Sequence, residues 1–577
     1  MTLVLVVLFL FAANWVITCS SLLLLLVVGH ASASASSPIL SSSWHGDGDG
    51  DGHGHGHLIE SCCSTTLYPH ICYSTLSSSS SFLATKKELI QLTINKTKDT
   101  IQNNFHMINK LLTVVSTKKR TKIALHDCLD MLLGTLEALD TVMQLLATYN
   151  PTNEYSLIRQ HADHLKTLIS TTITNKETCL DGFSSHDYKH FAESIIRPQL
   201  DHGGKMCSNL LAMINNMTDT DMINNNNILG TTRRRRKLIK ETIILWPQWL
   251  SARDRKLLWW SLVTPNVIVA KDGHGNYTTV EAAVAAAPSE SKSRYVIKIR
   301  AGVYNEYIGI PRKKTNIMLI GEGTSTTIIT GNKSVAGGTT TTKSATVDAV
   351  GNGFLAKDIT FQNTAGPSGH QAVALRVASD LSAFYKCSMI GYQDTLYVHS
   401  NRQFYVKCQV VGTVEFIFGN AAVVFQFCDI QARRPAPGQR NMVTAQGRAD
   451  PNQNTGIVIQ KCKISAASDL KPVQANFSTY LGRPWREYSR TVVMRSLIDD
   501  VINPAGWFPW KGDFALQTLY YREYRNMGPG ADTSKRVRWK GWGEITNRSE
   551  ARHFSTATFI NAWSWLLSTG FPFWPGL

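Results

Sequence analysis

The 577-residue chain carries 59 Lys and Arg against 42 Asp and Glu, a formal charge of +17, and 43% of its residues are hydrophobic. That length and apolar content exclude a disordered or fibrous chain and allow two or more globular cores. The basic excess implies an acidic partner: nucleic acid, anionic lipid or an acidic polysaccharide.

The charge is unevenly spread. Residues 263–577 hold 35 basic and 21 acidic side chains, or +14, while the first 262 hold 24 and 21, or +3. Residues 1–28 are almost wholly apolar and are followed by the small-residue run "HASASASSP". This pattern predicts a secretory signal over residues 1–36. No Lys or Arg precedes Lys86 and the apolar run is long, so a retained membrane anchor is the alternative reading. Six Asn-x-Ser/Thr sequons, at Asn95, Asn216, Asn276, Asn332, Asn476 and Asn547, agree with secretion, as do 11 Cys. A secreted chain meets no chromosome, so the expected partner is an acidic glycan and not nucleic acid.

Residues 37–57 contain "HGDGDGDGHGHGH". Its His and Asp side chains suit a loose metal site, but Gly imposes no ligand geometry, and a solvated linker is the expected role. Residues 58–214 read as helical. In "LHDCLDMLLGTLEALDTVMQLLA" apolar residues recur every three and four positions, with no Pro and one Gly. Short loops between such segments predict an all-α four-helix bundle. Cys63 and Cys72 are placed to staple a helical hairpin, and Cys128 and Cys179 to join two later helices; Cys62 and Cys207 are left over. Residues 215–262 read as a polar linker that includes Arg233, Arg234, Arg235, Arg236 and Lys237. Between two domains of a secreted chain, that run predicts a processing site, with cleavage near Lys237–Leu238.

From Val263 to Leu577 the pattern changes to short β-branched runs punctuated by Gly and Asn, such as "RYVIKIRAGVY" and "TGIVIQKCKI". A repeat decides among all-β architectures. "CSMIGYQDTLY" (387–397) and "CQVVGTVEFIF" (408–418) share Cys, Gly, an acid and an aromatic at the same offsets, 21 residues apart. A third apolar run ends in Cys428. A period near 20 fits one coil of a parallel β-solenoid, in which equivalent residues stack about 4.8 Å apart. Cys387 then lies over Cys408 within disulfide reach, and Cys428 with Cys462 forms a less secure second pair.

The same register sets Asp394 over Glu415. Like charges on adjacent coils repel, and at least one pKa should rise. A carboxylate ladder also suits calcium, but the neighbours favour catalysis. Gln393 precedes Asp394, and Gln371 lies one coil earlier; amides donate hydrogen bonds to a developing oxyanion. "YLGRPWREY" adds Arg483, which can hold one carboxylate ionised, and Trp485, which is equally a core residue or a platform for a sugar ring. Gln393 beside Asp394 is awkward on a regular strand, where neighbours face opposite sides, and predicts a bend or bulge near Gly391.

The ordered motifs "GNYTTVEAAV", "AGVYNEYI", "GHQAVALRV", "GYQDTLYV", "GTVEFIFGNA" and "YLGRPWREYSRTVVM" resemble those of plant pectin methylesterases, from about Asn266 to "STGFPF". "CSTTLYPHICYSTL" and "TCLDGF" resemble the inhibitor domain that one class of these enzymes carries as a pro-region. The resemblance implies a right-handed parallel β-helix of the pectin-lyase-like kind. It also implies an aspartyl-type esterase of the cell wall that hydrolyses methyl esters of pectin without metal or cofactor. By matching position, Asp394 is the general acid and base, Gln393 stabilises the oxyanion, and Thr346, Gln371, Arg483 and Trp485 line the substrate site. The implied partners are pectin, the chain's own inhibitor-like domain and a subtilisin-type processing protease, acting on a monomer. One departure stands out. The family's nucleophile is Asp, and this chain has Glu415. An extra methylene shifts the carboxylate by about 1 Å, a displacement that can cost on the order of 10²-fold in rate. The expected function is therefore a pectinesterase, with a catalytically impaired pectin-binding wall protein as the alternative. A calcium-dependent polysaccharide lyase on the same solenoid is a weaker third reading.

Overall fold

The computed structural model describes residues 52–77, 85–114, 119–183, 186–231 and 264–577. The expected signal segment and the Arg233–Lys237 processing run lie outside the described residues, and the low-complexity linker is described only from Gly52 on.

The N-terminal region is helical, as the three-and-four spacing of apolar residues requires. Helices α1 (Gly52–Cys63) and α2 (Pro69–Ser77) precede three long ones, α3 (Lys86–Val114), α4 (Lys119–Thr148) and α5 (Tyr155–Asp181). After the short α6 (His186–Phe191) and a π-turn over Ala192–Ile196, α7 (Arg197–Thr231) closes the bundle. Helices α3, α4, α5 and α7 pack in a closed ring, each against two neighbours. Their apolar stripes meet in one core that includes Leu89, Leu125, Leu139, Leu165, Ile169 and Leu210. Two boundaries differ from the sequence reading. Helix α1 begins inside the Gly/His tract, and α7 runs to Thr231, well into the segment read as linker from 215 onward. "DMINNNN" carries no Pro or Gly to stop a helix that has started upstream. The two expected staples are present: Cys63–Cys72 with Cα atoms 5.5 Å apart and Cys128–Cys179 with 4.4 Å.

Residues 267–544 wind into a solenoid of three parallel sheets of eleven, eight and seven strands. Seven successive coils, from Tyr295–Ile299 to Thr479–Gly482, contribute one strand to each face in turn, and the end coils extend the eleven-stranded sheet. The register is in step with the sequence repeat: Leu375 pairs with Leu396, and Leu396 with Ile417. Alternation along each strand sends Leu375, Val377, Leu396, Val398 and Ile417 inward to an apolar core. Inside, Phe384, Tyr405 and Phe425 stack coil upon coil, with ring centroids 4.5 and 4.7 Å apart. Such aromatic pairs contribute about 0.5–1.5 kcal/mol each beyond their burial. On the seven-stranded sheet the same alternation turns Asp348, Arg376, Tyr397, Phe418 and Ala445 outward in one ladder.

The cysteine ladder corrects the sequence reading. The register does set Cys387 beside Cys408 and Cys428 beside Cys462, yet all four are buried free thiols. In-register side chains of a parallel sheet leave side by side at the strand spacing of about 4.8 Å, whereas a disulfide needs Cβ atoms near 3.8 Å. The sulfurs turn to main-chain carbonyls of the preceding coil: Cys408 donates to Phe384 O at 3.4 Å, Cys428 to Tyr405 O at 3.4 Å and Cys462 to Phe425 O at 3.4 Å. Alkylation of denatured but unreduced protein, followed by peptide mapping, should therefore label Cys387, Cys408, Cys428 and Cys462 and spare Cys63, Cys72, Cys128 and Cys179. A recovered Cys428–Cys462 cross-linked peptide would contradict this assignment.

Candidate active site

Both acids sit in the turn that enters a strand of the seven-stranded sheet. Asp394 precedes the strand Leu396–Val398 and Glu415 precedes Ile417–Gly419. Both residues take left-handed backbone conformations, φ 62° and 52°. The conformation is uncommon for residues with a Cβ, but it recurs at turns of this solenoid, as at Lys386, Lys407 and Phe427. It also removes the difficulty posed by Gln393 and Asp394 being neighbours. A tight turn, and not a bulged strand, carries both. The turn is possible because Gly412 stands where a Cβ would lie 2.2 Å from Phe416 Cβ and 2.6 Å from Thr395 Oγ1. Thr395 Oγ1 itself lies 3.1 Å from both Tyr392 O and Val411 O, a bridge between the two coils. Main-chain bonds from Asp394 N to Val414 O (3.0 Å) and from Leu396 N to Phe416 O (2.9 Å) fix the two turns one above the other.

The two carboxylates are buried, Asp394 at 4% exposure and Glu415 at 8%. They are not equivalent. Arg483 Nε donates directly to Glu415 Oε1, and its guanidinium lies 4.5 Å from the Trp510 ring centroid. Among the described residues no cation pairs with Asp394, and its Oδ1 has no hydrogen-bond partner. Burial pushes the Asp394 carboxyl well above the usual carboxylate range, and the charge on Glu415 pushes it further. Burial also raises Glu415, but there Arg483 opposes it by charge and by hydrogen bond. Arg483 thus favours the charged form at Glu415, which it contacts, more than at Asp394, which it reaches by charge alone.

Gln371 and Gln393 are half-buried on adjacent coils next to the acids. Ala372 N donates to Gln393 O at 3.2 Å, so the main chain of the two turns is tied together. Trp485 is half-buried. It packs edge-on to Phe418, with centroids 5.8 Å apart, and covers Gly447, where a Cβ would meet its Cε3 at 2.8 Å. Thr346 is placed differently from expectation. It is fully buried and its hydroxyl donates to Gln362 O at 2.9 Å, so that donor is spent inside the fold.

Sequence reasoning missed the outward ladder. Tyr397 and Phe418 stack at 4.2 Å and 15° three residues after each acid, a position the repeat marks with an aromatic on both coils. Trp510, Arg376 and His399 carried no comparable signal. The bundle lies over this ladder. Thr178 of α5 is 2.9 Å from His399 Nε2 and 3.4 Å from the Tyr397 hydroxyl. Arg486, next to Trp485, pairs with Asp181 at 2.5 Å and with Glu177 at 3.3 Å. Asn420 donates to Thr174 at 2.9 Å, and Ser208 of α7 to Asp450 at 2.5 Å.

With this geometry in place, comparisons with known proteins are specific. The Pectinesterase family model matches residues 266–563, and the Plant invertase/pectin methylesterase inhibitor model matches 57–213. Pectinesterase 3 of Citrus sinensis is 57% identical over 526 residues, covering 90% of this chain and 88% of its own length. Pectinesterase/pectinesterase inhibitor U1 of Solanum lycopersicum is 56% identical over 524 residues, covering 90% and 89%. Among solved structures, the pectin methylesterase from carrot is 67% identical and superposes with a TM-score of 0.55, over 55% of this chain and 99% of that one. A solenoid with an Arg-held acid one coil above a second buried acid, under a helical bundle of the inhibitor kind, thus belongs to the pectinesterase family.

Proposed function

We propose that the chain is a pectin methylesterase that hydrolyses galacturonate methyl esters to free carboxylate and methanol. The observation that carries this reading is the electrostatic split of the acid pair, Glu415 held by Arg483 and Asp394 buried without a cation. Glu415, as the carboxylate, attacks the ester carbonyl carbon. The oxyanion that forms is met by N–H groups of Gln393 and Gln371. Asp394 gives its proton to the departing methoxide, and methanol leaves an acyl-enzyme anhydride on Glu415. Water then attacks the anhydride carbonyl while the Asp394 carboxylate takes its proton. The uronic acid is released, the Glu415 carboxylate is regenerated, and the proton on Asp394 is restored. The stacked Tyr397 and Phe418 rings and Trp485 beside them form an aromatic surface for the sugars, and the +14 catalytic region draws the polyanion.

Nothing supports the impaired pectin-binding alternative. The longer Glu415 side chain still reaches Arg483, and its backbone repeats the left-handed conformation of Asp394 one coil earlier. The rest of the reading is a secreted monomer working in the cell wall, cut by a subtilisin-type protease within Arg233–Lys237. No described helix is long and apolar enough to cross a membrane.

Three outcomes test this function. Methanol release from methylated pectin should fall by about 10³-fold or more in Glu415→Gln, which removes the nucleophile. In Glu415→Asp it should stay within about 10² of the parent, the scale set by a ~1 Å shift. Loss in neither variant would exclude Glu415 as the attacking group.

Asp394 also makes a stability prediction. Unfolded, its carboxyl ionises above about pH 3.9. Folded, it holds its proton to higher pH, so it destabilises the fold progressively as pH rises above that value. Asp394→Asn should thus abolish turnover yet raise the melting temperature at pH 7, with the gain vanishing near pH 4. A melting temperature that drops at pH 7 counts against the protonated-acid assignment.

In the uncut chain the bundle hides the sugar face: Tyr397 and Phe418 are each 3% exposed. Proteolysis at Arg233–Lys237 should raise methanol release several-fold. Equal activity before and after cleavage would show that the bundle does not block the groove.

A further inference from the structure

Six successive coils turn from the eleven-stranded sheet towards the eight-stranded one in two residues, and the first of the two is left-handed. These residues are Lys386, Lys407, Phe427, Lys461, Arg495 and Arg525, with φ between 48° and 54°. The strands that enter the turns are in register: Tyr385 pairs with Val406, Val406 with Gln426, Gln426 with Gln460, Gln460 with Met494 and Met494 with Tyr524. The six residues therefore form one row along the solenoid axis, spaced at the strand separation of about 4.8 Å. Main-chain bonds fix the row. Lys386 N donates to Val406 O at 3.2 Å, Lys407 N to Gln426 O at 3.0 Å and Arg495 N to Tyr524 O at 2.8 Å.

Five of the six positions are cationic. Left-handed backbone favours Gly and Asn, so the turn itself does not call for Lys or Arg. Like charges in register repel. Burial and the neighbouring Arg495 charge both hold the Lys461 ammonium below its usual range. Lys386, Lys407, Arg495 and Arg525 are exposed. Among the described residues none of the five cations pairs with a carboxylate; the ion pair at the head of the row is Lys357 with Asp358, at 3.3 Å, one coil before Lys386. Asp429, two residues after Phe427, takes a hydrogen bond from Gln431 Nε2 at 2.6 Å. The sixth position is aromatic: Phe427 is 42% exposed. Trp574, 49% exposed, is held near it by its N–H on Gln426 Oε1 at 2.6 Å. Lys461 Nζ lies 5.8 Å from the Phe427 ring centroid and 4.1 Å from that of Trp574.

A straight row of cations at one strand spacing, with two exposed rings at mid-length, matches an extended polyanion that carries one carboxylate per sugar. The coil spacing is about the length of one sugar in such a chain. This corner of the solenoid is not the catalytic one. Asp394 and Glu415 lie where the chain turns into the seven-stranded sheet, and none of the bundle contacts described above falls on the row.

We propose that the row is a binding ridge for de-esterified pectin: Lys386, Lys407, Lys461, Arg495 and Arg525 pair with successive carboxylates of one polygalacturonate chain, and sugar rings pack on Phe427 and Trp574. The choice of galacturonan rests on the function proposed above; the row of cations without carboxylate partners does not. The ridge takes the product of the esterase and not its substrate. It tethers the chain to stretches already de-esterified, and does so before cleavage, while the catalytic face is covered.

The test uses the full uncut chain and polygalacturonate at low salt. Lys386→Gln, Lys407→Gln and Arg495→Gln combined should weaken binding about tenfold, the scale of three modest exposed ion pairs, with no drop in melting temperature. Gln at Lys292, Lys535 and Lys540, exposed residues outside the row, removes the same charge and should cost less than about threefold. Affinity should fall with added salt and climb from digalacturonate to hexagalacturonate as more coils are reached. A row variant that binds as tightly as the parent, equal losses in the two triple variants, equal affinity for fully methyl-esterified pectin, or a dimer that binds as tightly as the hexamer would each overturn the proposal. Tighter, row-dependent capture by phosphatidylserine vesicles would make the occupant a membrane and overturn it as well. Methanol release by the cleaved wild type separates the two readings. Turnover without polygalacturonate binding sinks the ridge alone, and binding without turnover sinks the esterase alone.

Discussion

In-register parallel stacking of the coils is the constraint from which the rest of the structure follows. Because each residue sits above its counterpart one turn away, a repeat of 21 residues becomes a contact between adjacent strands. Apolar ladders fill the interior, cysteines line up with cysteines, and aromatic rings stack on aromatic rings. The same rule brings two acids together, which no folding preference would choose. Like charges in a buried setting lower stability, and the fold tolerates them only because several hydrogen-bonded coils on either side over-determine the turn.

The stack also sets how unlike the two acids become. Glu415 and Asp394 share burial and turn conformation, so neither solvent nor local backbone shape distinguishes them. Arg483, reaching in from the later turn that follows Thr479–Gly482, breaks the symmetry by contacting only one. A single guanidinium thereby decides which acid attacks and which carries the proton. Trp510 beneath that guanidinium limits where it can go. The extra methylene of Glu415 is absorbed here, since Arg483 is a long side chain held at its far end by a ring and not by a rigid backbone group.

The solenoid and the stacked acids were legible in the sequence because they depend on offsets, and offsets are what a repeat shows. The bundle was legible for a similar reason, its 3.6-residue period being local. What escaped depends on directions that spacing does not carry. The thiols of Cys387, Cys408, Cys428 and Cys462 align as the repeat requires but stay unbridged and bond to main-chain carbonyls. Thr346 occupies the expected coil, yet its hydroxyl is spent on Gln362 O. The left-handed turn at Asp394, which lets it stand beside Gln393, needed Gly412 one coil later, a long-range steric condition. The end of α7 was misjudged because an Asn-rich tract is a weak helix former that an established helix can still recruit.

The outward ladder explains why one surface serves both a polymer and a helical bundle. Tyr397 and Phe418 present flat rings, while Arg376, His399 and Arg486 present polar groups beside them. A sugar acid offers a ring face with hydroxyls and a carboxylate. Helix α5 offers an equivalent set: the hydroxyls of Thr171, Thr174 and Thr178 and the carboxylates of Glu177 and Asp181. The hydroxyls reach Asn401, Asn420 and His399, and the carboxylates reach Arg486. The threonines recur at three and four positions, the spacing that puts them on one helical face. The bundle therefore imitates the chemistry of the substrate and not its shape. The match is not complete: a cavity of about 350 Å³ remains between the two helices α4 and α5 and the seven-stranded sheet.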